Sequence, residues 1–267
     1  MMDRENIRPG TVYLVGAGPG DPGLITMRGA ACLKGADVIL CDYLANQSLL
    51  DHAREDAEII LLGHHGSGRS YSQDEIVGLM TDRAKRGLSV VRLKGGDPSI
   101  FGRGAEEAEK LRAEGIPYEI VPGITTGLAV AAYAEIPLTH RDESSAVALV
   151  TGRERHDREG AAFDYGALAT FPGTLVFYMG VSTADEWSRA LIEGGKPPDT
   201  PVGIVRWVSH REQETHRCTL ESVADHIRTH GIEAPSVFVI GSVVDRGPEL
   251  SWFVKEQGID PLLDQGS

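Results

Sequence analysis

The chain has 267 residues, 41% of them hydrophobic and 24% charged, and its 39 acidic against 26 basic side chains give a formal net charge of −13. This is the composition of a soluble globular protein; no apolar run nears the ~20 residues that a membrane span requires, and a basic footprint for nucleic acid is missing. Three cysteines without C-x-x-C spacing (Cys32, Cys41, Cys218) and a charged N-terminus, Met1 to Asn6, argue against a disulfide framework, structural zinc or a secretory segment, and for the reducing cytoplasm.

The first half repeats a pattern of strand, glycine-rich turn and helix. Thr11 to Val15 reads as a β-branched and aromatic strand, residues 16–23 as a glycine loop, and Thr26 to Lys34 as an amphipathic helix. Strands are predicted at Asp37 to Leu40, Ile59 to Leu62, Val90 to Leu93 and Tyr118 to Val121, and helices at Gln73 to Arg86, Arg103 to Ala113 and Ile124 to Ala134. Ser72-Gln73-Asp74-Glu75 is a capping-box pattern for the first of these helices. Such alternation implies an α/β fold with a mostly parallel sheet.

A polar break, I-P-L-T-H-R-D-E-S-S from Ile136 to Ser145, divides the chain. Beyond it strands are predicted at Ala146 to Val150, Thr174 to Tyr178, Val202 to Val208, Glu214 to Thr219 and Val237 to Val244, with helices at Ala184 to Glu193 and Leu220 to His230. Two α/β domains follow, 1–141 and 142–253, with a tail at 254–267.

Three strand-ending turns carry the chemistry. Gly18-x-Gly20-x-x-Gly23 follows a strand, and Asp42 ends the next one, which formally matches a dinucleotide fingerprint. Pro19 and Pro22, however, remove two of the backbone donors that a pyrophosphate needs. A nicotinamide-dependent dehydrogenase is therefore disfavoured, while another ligand loop or a structural turn stays open. The second turn lies in R-L-K-G-G-D-P-S-I-F-G-R-G-A-E-E, from Arg92 to Glu107, where Asp97 either caps a turn or accepts hydrogen bonds from a ribose or amine. The third is Val121-Pro122-Gly123-Ile124-Thr125-Thr126. In a parallel sheet all three fall on one edge, the place for a single ligand site.

Together with L-C-D-Y-L, I-P-L-T-H-R and T-L-V-F-Y-M-G, these motifs resemble the tetrapyrrole methylases, and within them the branch that acts on uroporphyrinogen III. They run in family order from about residue 11 to 180, and P-V-G-I-V-R-W and A-P-S-V-F-V-I-G extend the likeness to about 245. The resemblance implies two α/β domains with S-adenosylmethionine in the cleft between them, a fold that is not a Rossmann nucleotide site, and a homodimer. It implies two successive C-methylations of uroporphyrinogen III to precorrin-2, which feeds sirohaem, cobalamin or haem d1; a later corrin precursor is the alternative substrate.

Carried over by position, the resemblance places cofactor contacts on Pro19, Gly95, Gly96, Asp97, Ile100, Thr125, Thr126, Met179 and Val208. Asp42 falls at the proton-acceptor position, and Arg103, Glu106 and Arg141 on the substrate side. The residue types suit the reaction. Attack of a pyrrole carbon on a sulfonium methyl leaves positive charge on the ring system and a proton to remove, a task for a carboxylate. Arg103 is the alternative proton-handling group, but a guanidinium that stays protonated makes a costly base. It is better read as a clamp for one of the substrate's carboxylates, with Arg141 and, further out, Arg153 and Arg155.

Two positions depart from the family pattern. His64 stands where a lysine, assigned as proton donor, is usual, and histidine can fill that role near neutrality. Val208-Ser209 replaces a glycine-threonine pair. The His64-His65 doublet lacks a third ligand at a recognisable spacing, so no metal is expected.

Overall fold

The computed structural model describes residues 7–63, 71–153 and 164–249, which leaves His64, His65, Arg155 and the 254–267 tail outside the described residues. The chain divides into two compact units, Met1–Thr125 and Thr126–Ser267.

In the first unit, strands β1 (Val12–Gly16), β2 (Val38–Cys41), β3 (Glu58–Leu61), β4 (Val90–Lys94) and β5 (Tyr118–Val121) alternate with helices α1 (Met27–Gly35), α2 (Gln73–Lys85) and α3 (Gly104–Ala113). The sheet order is β3-β2-β4-β1-β5, and every pairing is parallel. β1 is apolar throughout because both of its faces are covered. Tyr13 and Val15 pack with Cys32, Leu33 and Leu49 on one side; Val12 and Leu14 pack with Ile76, Met80 and Leu111 on the other. The predicted capping box starts α2: Glu75 N donates to Ser72 Oγ at 3.2 Å and Ser72 N to Glu75 Oε2 at 2.8 Å.

The second unit holds α4 (Thr126–Tyr133), β6 (Val147–Thr151), α5 (Tyr165–Ala169), β7 (Thr174–Tyr178), α6 (Ala184–Glu193), β8 (Pro201–Arg206), β9 (Glu214–Thr219), α7 (Val223–His230) and β10 (Ser236–Ile240). Its sheet is mixed, in the order β6-β7-β10-β8-β9, with β6 and β7 parallel and the remaining pairs antiparallel. Trp187 of α6 is fully buried, 5.0 Å from the Phe177 ring and 5.3 Å from Phe238, and its Nε1 donates to Gly180 O at 2.9 Å.

Three expectations need correction. The boundary lies at Thr125/Thr126 rather than at 141, because the small apolar helix α4 packs on β7 and β10 and belongs with the second sheet. The polar break at 136–145 is a loop inside that unit. The last strand stops at Ile240 instead of Val244: Gly241 takes φ +147°, and Ser242–Glu249 winds into a 3-10 helix that buries Val243 and Val244. Likewise β8 ends at Arg206, two residues before Val208, where the chain enters the left-handed region at Trp207.

Candidate active site

The three glycine turns of the first unit do meet at the C-terminal edge of its sheet. Gly18 and Gly96 form an antiparallel bridge, with Gly96 N donating to Gly18 O at 2.8 Å and Gly18 N to Gly96 O at 3.2 Å, and Ala17 N donates to Lys94 O at 2.7 Å. A Cβ on Gly16 would lie 2.5 Å from Gly123 N and 2.7 Å from Gly96 O, so bare Cα atoms are obligatory where these backbones cross. Asp97 Oδ1 accepts from Ser99 N at 2.7 Å and Oδ2 from Gly123 N at 3.0 Å. It therefore ties the second turn to the third while remaining half-buried.

The first loop is no dinucleotide cradle. Pro22–Leu24 forms one turn of 3-10 helix capped by Asp21, whose Oδ1 accepts from Gly23 N at 2.7 Å, and α1 begins only at Met27 with Thr26 as its cap. The glycine loop thus does not run directly into an α-helix N-terminus, which pyrophosphate binding requires. Pro19 is buried, and Asn46 Nδ2 donates to Gly20 O at 2.7 Å.

Asp42 follows β2 at the same edge. Its Oδ1 accepts from Arg92 Nη2 at 2.6 Å, and its side chain is 32% exposed. Behind it lies a buried ionic group that sequence reasoning missed. Glu107, in the first turn of α3, is wholly buried, and its Oε1 receives Gln73 Nε2 at 2.8 Å, Lys94 Nζ at 2.9 Å and Arg92 Nε at 3.4 Å. Burial, followed by the Arg92 charge, pushes the Lys94 ammonium below its ordinary pKa, and Glu107 and Asp42 oppose that shift. Burial and the neighbouring Asp42 carboxylate raise the Tyr43 hydroxyl, and the same two causes raise the Cys41 thiol to about 11. The alternation Arg92-Leu93-Lys94 was the available signal, since two cations two residues apart in an apolar strand share a face and demand buried partners.

Arg103 and Glu106 are exposed and paired with each other, with Arg103 Nη2 2.6 Å from Glu106 Oε2 and Nε 3.1 Å from Oε1. Arg103 stands at the N-cap of α3 with φ +58° and makes no side-chain cap. Ile100, three residues earlier, is half-buried.

In the second unit, Tyr178 Oη accepts from Gly127 N at 2.7 Å, satisfying a donor in the first turn of α4 next to Thr126. Met179 follows, 49% exposed. Val208 and Ser209 are buried; Ser209 N donates to Gln213 Oε1 at 2.8 Å and Gln213 Nε2 to Tyr133 O at 2.7 Å. Arg141 is exposed in a tight turn closed by the His140–Ser144 bridge, and Arg153 is exposed after β6.

Among the described residues six non-glycines have positive φ: Phe101, Arg103, Glu135, Met179, Trp207 and Ser209. Arg103 and Met179 are themselves sequence-derived site residues, Phe101 adjoins Ile100, and Trp207 and Ser209 flank Val208. Strained backbone gathers at functional loops, and here it marks the same loops the motifs did. Among the described residues no group of three or more His, Cys, Asp or Glu side chains is arranged to hold a metal.

The family model for tetrapyrrole (corrin/porphyrin) methylases matches residues 11–224, and the chain belongs to that family. It is 44% identical over 247 residues to the uroporphyrinogen-III C-methyltransferase of Bacillus subtilis (strain 168), covering 92% of this chain and 96% of that protein. Two solved structures share the fold. One is a uroporphyrin-III C-methyl transferase of Thermus thermophilus in complex with S-adenosylhomocysteine (TM-score 0.75, 36% identity, 88% of this chain and 99% of that one). The other is a cobalt precorrin-4 methyltransferase of cobalamin biosynthesis (TM-score 0.78, 33% identity, 88% and 96%). The chain spans about half the length of the siroheme synthases it also matches, 53% in the Chromobacterium violaceum protein.

Proposed function

We propose that this chain methylates uroporphyrinogen III at carbon with S-adenosylmethionine, twice in succession, to give precorrin-2. The observation that carries the reading is its 44% identity to a uroporphyrinogen-III C-methyltransferase along nearly the full length of that enzyme. The activities that siroheme synthases carry in their remaining half are not assigned to it.

The residues present fit the methyl donor. Bare Cα atoms at Gly16 and Gly123 let the three turns pack backbone to backbone into one edge, and there the half-buried Asp97 carboxylate retains acceptor capacity beyond its two backbone bonds. Proposed contacts are Pro19, Gly95, Gly96, Asp97, Ile100 and Thr125 in the first unit and Thr126, Met179 and Val208 in the second. Pro19 and Val208 are buried, which limits them to backbone or edge contacts. When bound, S-adenosylmethionine supplies an electrophilic methyl group on sulfur.

Asp42 accepts the proton that leaves the methylated ring, and while the ring is cationic the carboxylate stabilises it. The Arg92 bond holds the Asp42 carboxylate in place. Arg103 and Arg141 grip substrate carboxylates, and Glu106 holds the Arg103 guanidinium in a fixed plane until a substrate carboxylate competes for it. A net charge of −13 repels a polyanion, so these local arginines decide capture.

Arg103→Ala tests the clamp. With anaerobic uroporphyrinogen III, the KM for the tetrapyrrole is expected to rise about tenfold or more, the loss of a bidentate charged pair, while S-adenosylhomocysteine affinity stays unchanged in calorimetry. An unaltered KM would remove Arg103 from the substrate site. If the wild-type protein binds S-adenosylhomocysteine yet adds no methyl group to uroporphyrinogen III, the substrate reading fails and later corrin precursors become the assay.

The same reading places the chain in the cytoplasm as a homodimer. Support comes from three free cysteines and from the family resemblance, and no helix among the described residues is long and apolar enough to cross a membrane. Equilibrium sedimentation at micromolar concentration is expected to return twice the mass of the chain; the mass of a single chain would overturn the dimer.

A further inference from the structure

Glu107 cannot touch a substrate, since it has no exposed surface, yet it organises every charged group behind Asp42. Arg92 bridges the two carboxylates along one edge of its planar group: Nη2 reaches Asp42 Oδ1 at 2.6 Å and Nε, next to it on that edge, reaches Glu107 Oε1 at 3.4 Å, while Nη1 donates to Leu93 O at 3.2 Å. Lys94, two residues along β4 and so on the same face, holds the same Glu107 oxygen at 2.9 Å, and Gln73 of α2 holds it at 2.8 Å. Three donors from two elements converge on Oε1, and Oε2 has no partner among the described residues.

The cluster is neutral in sum, with Arg92 and Lys94 set against Asp42 and Glu107. Neutrality does not explain its presence, because a packed apolar cluster of similar volume holds a fold as well or better than buried ions do. What buried ions provide is direction. A guanidinium is rigid and planar, so holding Nε on Glu107 fixes the direction in which the neighbouring Nη2 points at Asp42.

We propose that Glu107 is a positioning residue for methyl transfer, which through Arg92 sets the orientation of the Asp42 carboxylate. The proposal rests on the reading of Asp42 as proton acceptor. In Glu107→Gln a single neutral amide oxygen faces the three donors that the carboxylate held, two of them cationic, so Arg92 keeps its charge but loses its brace, and the Asp42–Arg92 pair can rotate as a unit away from the strand end. Displacement of an acceptor by an ångström costs up to about 100-fold in rate, with no change in the groups that contact substrate.

The test is a double-mutant cycle on the full chain, with kcat and KM for uroporphyrinogen III measured for wild type, Asp42→Asn, Glu107→Gln and the pair. Folding is checked by thermal melts and by S-adenosylhomocysteine binding. The expected result is a kcat for Glu107→Gln about 10- to 100-fold below wild type at a KM changed less than about twofold, and little further loss when Glu107→Gln is added to Asp42→Asn. A residue that merely supported the fold would lower the rate by the same factor in both backgrounds, and that additivity would overturn the proposal. Asp42→Asn strongly impaired beside Glu107→Gln at the wild-type rate would overturn it alone and leave Asp42 as acceptor. Asp42→Asn at the wild-type rate would remove the acceptor reading and this proposal with it. Should Glu107→Gln fail to fold, Arg92→Lys replaces it in the cycle: it keeps the charge and loses the planar span, so the same drop and the same non-additivity are expected, and a wild-type kcat would overturn the proposal.

Discussion

Asp42→Asn is expected to lower kcat for methylation of uroporphyrinogen III by about 10²- to 10⁴-fold, the range for removal of a positioned general base. Asparagine preserves the shape, and its amide oxygen can still accept from Arg92 Nη2, so the strand end after β2 keeps its geometry. What disappears is the charge and the site for a proton. Asp42 is not among the proposed cofactor contacts, so affinity for S-adenosylhomocysteine should move by less than about twofold. Stability should fall by about 1–3 kcal/mol, because a nearly inaccessible guanidinium trades an ionic acceptor for a neutral one while keeping Glu107. Steady-state rates, product mass and calorimetry on one preparation separate these effects. If the variant retains more than about a tenth of the wild-type kcat, proton removal does not depend on Asp42, and its role shrinks to that of an ionic partner for Arg92.

Gly123→Ala is expected to abolish cofactor binding and to destabilise the first unit by about 3 kcal/mol or more, at the upper end of overpacking costs. The added Cβ would lie 2.3 Å from Gly96 O and 2.8 Å from Gly16 C, both backbone atoms. Neither can retreat: Gly16 and Lys94 are in register across β1 and β4, and Gly96 is tied to Gly18 by two hydrogen bonds. The clash must push the Pro122–Thr125 loop off the sheet edge, which also breaks the Asp97 bond to Gly123 N. Gly78→Ala is the control. It is exposed in α2, nothing lies within 4 Å of its would-be Cβ, and it should gain up to about 1 kcal/mol from helix propensity. Urea denaturation and titration with S-adenosylhomocysteine read both variants, and a Gly123→Ala protein that binds the ligand normally would show that the third turn lies outside the cofactor site.

The strand-turn-helix rhythm of the first half could be read from the residues because the strands there are short runs, most of them closed by a glycine or proline, and α1 and α2 carry their own start signals at Thr26 and at Ser72 and Glu75. Convergence of the three turns followed from parallel topology alone. The boundary did not, since α4 is small and apolar on nearly every side and its sequence does not reveal which sheet it covers. Val243 and Val244 extend an apolar run past the end of β10, and only the conformation at Gly241 shows that the ladder has stopped. The short helix α5 offered only five residues and one capping Asp164, too little periodicity to detect. Within the candidate site, Asp42, Arg103 and the glycines were visible as motif positions. Glu107 was not, because its importance lies in burial and in partners 13, 15 and 34 residues away, which no local pattern encodes.

The strand order has a consequence during synthesis. β1 is flanked by β4 and β5 and by no other strand. A growing chain therefore exposes Val12–Gly16 with no ladder partner until the ribosome has passed Lys94, about 80 residues later, or roughly 4–16 s at ordinary elongation rates. The β2–β3 pair can form in that interval, but β1, apolar and buried along its whole length, waits for its neighbour. Slowed translation upstream of Lys94 would lengthen that wait, making nascent chains of this protein clients for chaperones that shield short hydrophobic strands and leaving truncated products ending before β4 prone to aggregate.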